Sequence, residues 1–433
     1  MIKRFLNEII IFLLVSGISR LLPFLLTPVF THYISPTEMG RLEIILSSYN
    51  ILIVLGMCQI DTAVQRFYYE RESISKAAIF TVAKLSSIIA LITIVASPLL
   101  MYFYFKNEML IPDVMITAAS IVFGNMFIIN GLIVRYSKPI RYIAILNLTQ
   151  TILFVVCAYY GVVVLHMGIR AYLLAMLISY ILSSILSLVF IKDKISLKFS
   201  CVDTNKLWGF ALPQLPARVA SALSQYGNRF LLLWIFNQSI VGVFAIANKI
   251  SSLMLVGLTA FCMVWYPMLY SKENRNNIEI RKLFKLVIVL LIPLIPVMLI
   301  ITHVIFKFYV AEQYFEAEYV SYVLIVATSL LVIKEMVDSG IKLSGKVKFI
   351  SYIYILNTIF LFVAMFLAGK EWGIIGVSYA ILISNVILIF MTWIVSEKCY
   401  AIGFSVNYFI LYMLYCMTIV ALIIYVMPSV EIG

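Results

Sequence analysis

Charged residues are scarce in this chain. Asp, Glu, Lys and Arg make up 12% of its 433 residues, whereas hydrophobic residues make up 64%. Soluble domains have about 25% charged and about 45–50% apolar residues, so this composition excludes a soluble globular protein. The segments between apolar stretches are also too short to hold a soluble domain. We therefore predict an all-α polytopic membrane protein, because helices satisfy their own backbone hydrogen bonds in lipid.

Residues that build metal sites, disulfides and catalytic triads are also few. The six cysteines form no CxxC pair, and the three histidines lie far apart in the sequence. This pattern predicts no metal site and no disulfide framework, and it favours a protein that is not an enzyme. The net charge of +12 would suggest a nucleic-acid partner for a soluble protein, but here basic loops between membrane spans account for it. We expect no nucleic-acid partner and no cofactor.

Apolar windows recur along the whole chain, and each is long enough to cross a bilayer, which takes about 20 helical residues. Twelve of them form the predicted core, and a thirteenth follows at the C-terminus. The windows fall at 7–31, 41–66, 77–104, 113–136, 141–165, 170–192, 207–236, 239–269, 282–308, 318–341, 347–368, 374–396 and 405–427. Lys and Arg concentrate in alternate connecting segments, which predicts a multi-pass protein with a cytoplasmic N-terminus.

The two halves of the chain resemble each other. GIRAYLLAMLIS at 168–179 aligns with GIIGVSYAILIS at 373–384, an offset of 205 residues. A similar offset of 202 residues places Gly40 on Gly242. Six helices per half keep both repeats in one orientation, so an axis along the membrane normal should relate them around a central cavity. The predicted parts are an N-terminal six-helix lobe at 1–192, a cytoplasmic linker at 193–206, a C-terminal six-helix lobe at 207–400, and an extra C-terminal helix at 401–433.

Charged side chains inside the windows are candidate functional residues, because charge is costly in hydrocarbon. Arg218, Gln225 and Arg229 share one helical face, and Pro213 and Pro216 should kink the start of that helix. Basic residues outnumber acidic ones within the windows, which suits a cavity that receives an anion. The predicted cavity cations are Arg20, Arg218, Arg229 and Lys249. The predicted polar cavity residues are Ser16, Thr27, Asn50 and Gln225. The alternative for the arginines is a structural bond to carbonyls of a neighbouring helix, and for Lys249 it is snorkelling to the interface.

The acidic residues inside the windows leave two interpretations open. Asp61 could bind H⁺ or Na⁺ and so couple transport to an ion gradient, or it could pair with Arg66 or a helix 1 arginine. Lys334 and Asp338 lie four residues apart beside Glu335, so they could neutralise each other on one helical face. We predict a structural or gating cluster there, with substrate contact as a secondary role and ion coupling as the alternative.

Two stretches carry motifs of a known family. Residues 34–40 read ISPTEMG, where Pro36 should lie in the first turn of a helix, with Glu38 and Glu43 near its N-terminus. Residues 206–270 contain Phe210, Pro213, Pro216, Asn228-Arg229-Phe230, Gly242, Phe244, Ala247 and Lys249. Both stretches resemble Wzx-type flippases, the polysaccharide-transporter branch of the MOP superfamily, which is MATE-like. That family commonly has Asp where this chain has Asn228.

The resemblance implies a function and a location. Such a flippase moves an undecaprenyl-diphosphate-linked oligosaccharide, the repeat unit of O-antigen or of a related lipopolysaccharide or polysaccharide, from the cytoplasmic to the periplasmic leaflet. It works by alternating access in the bacterial inner membrane, and the resemblance implies a polysaccharide polymerase and a chain-length regulator as partners. One alternative is a lipid-linked sugar polymerase or ligase, which would need a long periplasmic loop. The other is a MATE-like drug or cation exporter, whose cavity should favour carboxylates over the basic residues found here.

Overall fold

A computed structural model describes residues 17–19, 21–70, 73–100, 111–194, 201–270, 277–346 and 348–426. Every regular element in these ranges is helical, and they contain no β-strand, which confirms the predicted all-α class. Ten of the described helices are long and apolar enough to cross a membrane. The protein is therefore a multi-pass membrane protein. The predicted count of twelve core helices and a thirteenth stays a prediction.

The first half of the chain begins with short and long helices in alternation and continues with four long helices. A helix over 21–30 (α1) is followed by α2, which begins at Pro36, the proline predicted for a first turn. The bounds are α2 Pro36–Met57, α3 Ile60–Phe67, α4 Ser73–Leu100, α5 Ile111–Ser137, α6 Ile140–Tyr159, which continues as a π-helix over Tyr160–Val164, and α7 Gly168–Phe190. The window 41–66 is not one helix, because Cys58 and Gln59 adopt positive φ angles of 45° and 60° between α2 and α3.

The window 207–236 is broken, as its prolines predicted. A 3₁₀ turn over Leu212–Gln214 separates the first two helices of this region, and Gly227 separates the second from the third. The bounds are α8 Cys201–Ala211, α9 Leu215–Tyr226 and α10 Asn228–Ile235. Proline cannot donate a backbone hydrogen bond, and its ring clashes with the preceding turn, which accounts for the first break.

The second half contains the longest helices. These are α11 Gln238–Ser251, α12 Leu253–Tyr270, α13 Asn277–Tyr309, α14 Glu316–Val337, α15 Ser339–Leu343, α16 Lys348–Cys399 and α17 Val406–Val426. Helix α16 is interrupted at Trp372 and at Gly373, whose φ of 62° and ψ of −151° suit only glycine. It therefore consists of two segments that match the predicted windows 347–368 and 374–396, and α17 occupies the window 405–427.

The chain divides into two compact units. The first comprises Met1–Leu26 and Arg41–Arg229, and the second comprises Thr27–Gly40 and Phe230–Gly433. Residues 193–229 therefore lie with the first unit, and residues 27–40 lie with the second unit although they precede most of the first in sequence. The predicted lobe limits at 192 and 207, which rest on the internal repeat, stay a prediction.

Polar pairs hold α5 and α7 together in the first unit. Arg170 Nε donates to Asp113 Oδ1 at 2.9 Å, and Asn130 Nδ2 donates to Ser187 Oγ at 3.1 Å. Both pairs join residues 57 positions apart. The equal separation at both ends of the helices shows that α5 and α7 run parallel, side by side along most of their length.

Helix α14 forms the centre of the second unit. Most of its residues are buried, and it packs against α11, α13 and α16. Aromatic side chains fill the space between α13, α16 and α17: Phe284 and Phe404 rings lie 4.7 Å apart, and Trp393 and Phe409 rings lie 4.9 Å apart. A helix that is apolar on every side needs such neighbours all round it, which places α14 inside the bundle.

Candidate functional site

A buried ion pair joins α2 to the start of α10 within the first unit. Arg229 Nε donates to Glu43 Oε1 at 3.1 Å, and both residues are buried. Arg229 Nη1 also donates to the Gln225 carbonyl at 2.9 Å and to Asn228 Oδ1 at 2.5 Å. The break at Gly227 places Arg229 in the first turn of α10, from which it reaches back to the last turn of α9. This arrangement neutralises a predicted cavity cation inside the protein.

Glu43 was missed as a functional candidate. Its prediction as an acid near the N-terminus of a helix was wrong, because α2 begins at Pro36 and Glu43 lies two turns further on. Only the first turn has free N–H groups that favour negative charge. The N-terminal role belongs to Glu38, which accepts from the Ser35 backbone N–H at 3.1 Å while Ser35 Oγ accepts from the Glu38 N–H at 3.3 Å. This is a capping box.

The predicted polar stripe, which is the helical face shared by Arg218, Gln225 and Arg229, is divided between two environments on α9 and α10. Arg218 and Gln225 are exposed on α9, whereas Arg229 is buried. Arg218 forms no ion pair or hydrogen bond with any residue in the described ranges. The stripe therefore consists of one exposed cation, Arg218, and one buried cation that is paired, Arg229.

The other predicted cavity residues occupy separate places. Arg20 and Ser16 lie outside the described residues. Thr27 is buried in the second unit, and Lys249 is partly buried in the last turn of α11. Asn50 Nδ2 donates to the Leu46 carbonyl of its own helix at 2.7 Å. Their predicted role in a cavity stays a prediction.

A network of two lysines and two carboxylates lies at the end of α14. Lys334 Nζ lies 2.9 Å from Glu335 Oε1 and 2.9 Å from Asp338 Oδ2. Lys342 Nζ lies 3.0 Å from Glu335 Oε2 and 2.9 Å from Asp338 Oδ1. Each lysine therefore contacts both carboxylates, and Lys334 also lies 4.8 Å from the Tyr354 ring. The sequence predicted three members of this network but placed Lys342 in a loop, whereas α15 carries it back to the cluster.

Asp61 lies in the first turn of α3, directly after the residues with positive φ. Its Oδ1 atom is buried and accepts no hydrogen bond from any residue that the structure describes. No ion pair joins Asp61 to Arg66 or to another residue in the described part of the chain, and Arg66 lies instead 5.8 Å from the Phe67 ring. A buried carboxylate oxygen without a partner is costly, which is the property expected of an ion- or proton-binding residue.

Helices α2 and α11 meet through two glycines in the second unit. A Cβ atom at Gly40 would lie 1.8 Å from the Gln238 carbonyl oxygen, and one at Gly242 would lie 1.9 Å from the Pro36 carbonyl oxygen. Each glycine thus receives the carbonyl of the residue four positions before the other glycine. The offset is 202 residues for both pairs, the offset that the sequence repeat predicted for Gly40 and Gly242. We call these four residues the glycine contact.

Hydrogen bonds attach the loop before α2 to the connection between α13 and α14. Thr31 Oγ1 accepts from the Ala311 N–H at 3.1 Å, and Gln313 Nε2 donates to the Thr31 carbonyl at 2.9 Å. The Tyr314 hydroxyl donates to the Ile34 carbonyl at 2.8 Å. Burial, together with the nearby charge of Glu38, raises the pKa of Tyr314 well above its ordinary value, so the hydroxyl remains a donor. These bonds explain why residues 27–40 belong to the second unit.

Three solved structures share this fold along most of the chain. The lipid II flippase MurJ in an inward closed conformation gives a TM-score of 0.72 at 14% identity, over 96% of this chain and 98% of MurJ. An inward-facing MATE family multidrug resistance transporter of the MOP superfamily gives 0.70 at 13% identity, over 89% and 95%. A Vibrio cholerae MATE transporter gives 0.60 at 16% identity, over 94% and 98%. The chain therefore shares the fold of these three structures.

A match to a family model identifies the family of the chain. The family described as "Polysaccharide biosynthesis protein" matches residues 5–272, which is more than half of the chain. This chain belongs to the polysaccharide biosynthesis protein family. A comparison with curated proteins gives no match. The resemblance predicted from residues 34–40 and 206–270 is confirmed at the level of family and fold.

Proposed function

We propose that this protein is a flippase for a lipid-linked oligosaccharide. It moves an undecaprenyl-diphosphate-linked repeat unit, of O-antigen or of a related polysaccharide, from the cytoplasmic to the periplasmic leaflet of the bacterial inner membrane. The observation that carries the proposal is that a member of the polysaccharide biosynthesis protein family has the fold of a lipid flippase. We further propose a cytoplasmic N-terminus, and a polysaccharide polymerase and chain-length regulator as partners that use the product.

The chemistry of the substrate explains why the polar groups on α9 matter. A diphosphate and its sugars cannot cross about 30 Å of hydrocarbon unaided, whereas the lipid tail can stay in the bilayer during transfer. Arg218 is an exposed guanidinium on α9, and a guanidinium binds phosphate oxygens through two parallel hydrogen bonds. Alternating access of the two repeats then carries the bound head group across. In this scheme Asp61 is the candidate for binding the coupling ion, H⁺ or Na⁺.

Complementation of a bacterium that lacks its own O-unit flippase tests this function. The wild-type chain should restore surface polysaccharide, and Arg218→Ala should reduce it by about tenfold or more, because a hydrogen bond to a charged group contributes about 1.5–3 kcal/mol. Arg20→Ala and Arg229→Ala belong in the same series. Arg141→Ala is the matched control, because Arg141 is exposed in the first turn of α6 and its guanidinium lies 5.4 Å from the Tyr142 ring.

Two outcomes would contradict the proposal. If all three arginine variants restore polysaccharide as well as the Arg141→Ala control does, the head group does not bind at these cations. If the wild-type chain fails in several O-unit backgrounds but confers resistance to organic cations, the MATE-like alternative is correct. Protein amounts in the membrane must be compared for every variant, so that loss of expression is not read as loss of transport.

A further inference from the structure

Helices α13 and α17 lie side by side in the second unit. The Lys285 Nζ atom lies 5.0 Å from the centre of the Tyr408 ring, and the Tyr415 hydroxyl donates to the Ile292 carbonyl at 2.5 Å. Both contacts join residues 123 positions apart. The equal separation, two helical turns apart, shows that the two helices run parallel where they meet. Residues at the start of α13 therefore lie beside residues at the start of α17.

The exposed face of α13 changes its chemistry after the first turns of the helix. It begins with three basic side chains, Arg281, Lys282 and Lys285. Beyond them the exposed side chains of α13 are apolar; they include Leu286, Val289, Leu290, Leu294, Val297 and Ile300. Helix α17 likewise exposes Ile410, Leu411 and Leu414. A basic end followed by an apolar length matches the order of a phospholipid, with its phosphate at the membrane surface and its acyl chains in the hydrocarbon.

No carboxylate neutralises these three basic residues. None of them forms an ion pair with a residue in the described ranges. Glu279 is exposed one turn before Lys282 without pairing with it, and Glu397 accepts from the Gly403 N–H at 3.1 Å. The three cations therefore exceed the two carboxylates of this region, and the charge that complements them is negative.

The guanidinium of Arg281 is held in a position that leaves two nitrogens available. Its Nε donates to the Asn277 carbonyl at 3.3 Å, and its Cζ lies 3.7 Å from the place that a Cβ atom would take at Gly403. Nη1 and Nη2 have no acceptor among the described residues. These two groups can donate a pair of hydrogen bonds to phosphate oxygens. A basic residue that only sets the orientation of a membrane helix needs no such fixed geometry.

We propose that the start of α13, together with Tyr408 of α17, binds the headgroup of an anionic phospholipid. Arg281 donates to the phosphate, Lys285 beside the Tyr408 ring supplies the second positive charge, and the acyl chains lie along the exposed apolar side chains of the two helices. In the orientation proposed above, this lipid belongs to the cytoplasmic leaflet. The inference does not rest on the flippase proposal, because it concerns the membrane lipid around the second unit and not the transported molecule.

Titration of the purified full-length protein in detergent with phosphatidylglycerol and with phosphatidylcholine of the same acyl chains tests the proposal by native mass spectrometry. The wild-type protein should bind phosphatidylglycerol about 25-fold more tightly, because each of two basic residues strengthens the attraction to an anionic lipid about fivefold. The double variant Arg281→Gln with Lys285→Gln should lose this preference and bind both lipids equally. Phosphatidylglycerol should also raise the melting temperature of the wild type but not that of the double variant.

A second double variant removes the same number of charges from another place. Lys346→Gln with Lys348→Gln replaces two exposed lysines at the start of α16, neither of which forms an ion pair with a described residue, and it should keep the full preference. If this control lost as much preference as the α13 variant, a diffuse positive surface would explain the binding, and the proposed site would be wrong.

Three further outcomes would overturn the inference. The first is a wild-type protein that binds the two lipids equally, and the second is an α13 double variant that keeps its preference for phosphatidylglycerol. The third is displacement of phosphatidylglycerol by farnesyl diphosphate at a lower concentration than by unlabelled phosphatidylglycerol, since the residues would then bind an isoprenoid diphosphate. None of these results bears on complementation by the wild-type chain, so the flippase proposal is decided separately.

Discussion

Gly40→Ala is expected to force helices α2 and α11 apart. The new methyl group would lie 1.8 Å from the Gln238 carbonyl oxygen, a backbone atom that no rotamer change can move away. Overpacking of this kind costs about 1–3 kcal/mol and sometimes more. We expect a lower melting temperature of the purified protein and a large loss of surface polysaccharide in complementation. The same result is expected for Gly242→Ala, whose methyl group would lie 1.9 Å from the Pro36 carbonyl oxygen.

Two other glycines of the chain provide matched controls. A Cβ atom at Gly209 in α8 or at Gly257 in α12 meets nothing within 4 Å. Both lie within helices, where alanine is favoured over glycine by about 1 kcal/mol, so these variants should keep or slightly raise the melting temperature. If Gly40→Ala behaved like Gly209→Ala, the close approach of α2 and α11 would not matter for stability or function.

Removal of one carboxylate from the network at the end of α14 should also strongly lower the stability of the protein. Asp338 is fully buried and contacts both Lys334 and Lys342, so Asp338→Ala leaves two lysines with one carboxylate. Loss of one partner from a buried ion pair costs about 3–5 kcal/mol, because the remaining charge is buried without compensation. We expect the protein to lose expression or to melt at a much lower temperature.

A paired substitution distinguishes charge balance from packing. Lys334→Met together with Asp338→Leu removes one charge of each sign and leaves Lys342 paired with Glu335 at 3.0 Å. Because the number of charges of each sign stays equal, this double variant should melt above the Asp338→Ala variant. If the double variant melted at the same temperature as Asp338→Ala or below it, the two substitutions would act through lost packing and not through an unbalanced charge.

The fold class could be predicted from composition, because a membrane accepts few structures other than apolar helices. The break near Pro213 and Pro216 was predictable for a similar local reason, since proline removes a backbone donor and its ring clashes with the preceding turn. The effect is not universal, because α13 continues through Pro293 and Pro296. The capped start of α2 was predictable at Pro36 and Glu38. In each case the cause lies within a few residues of the effect.

The partners of the buried charges could not be predicted in the same way. Glu43 and Arg229 are separated by 186 positions, and nothing near Glu43 in sequence indicates that it faces an arginine. The predicted excess of basic residues in the windows included Arg229, whose charge Glu43 in fact balances. Lys342 was assigned to a loop because the helix α15, which returns it to Asp338, is only five residues long. Long-range packing decides these pairs.

The glycine contact has the form of an isologous interface, in which one patch meets its own copy across a twofold axis. In a dimer of identical subunits, an alanine at this position would appear twice and produce two clashes at the same axis. In this single chain each glycine can be changed alone, so the two clashes can be separated. Because the displacement that relieves one clash also relieves the other, the double alanine variant should lose less stability than the sum of the single losses.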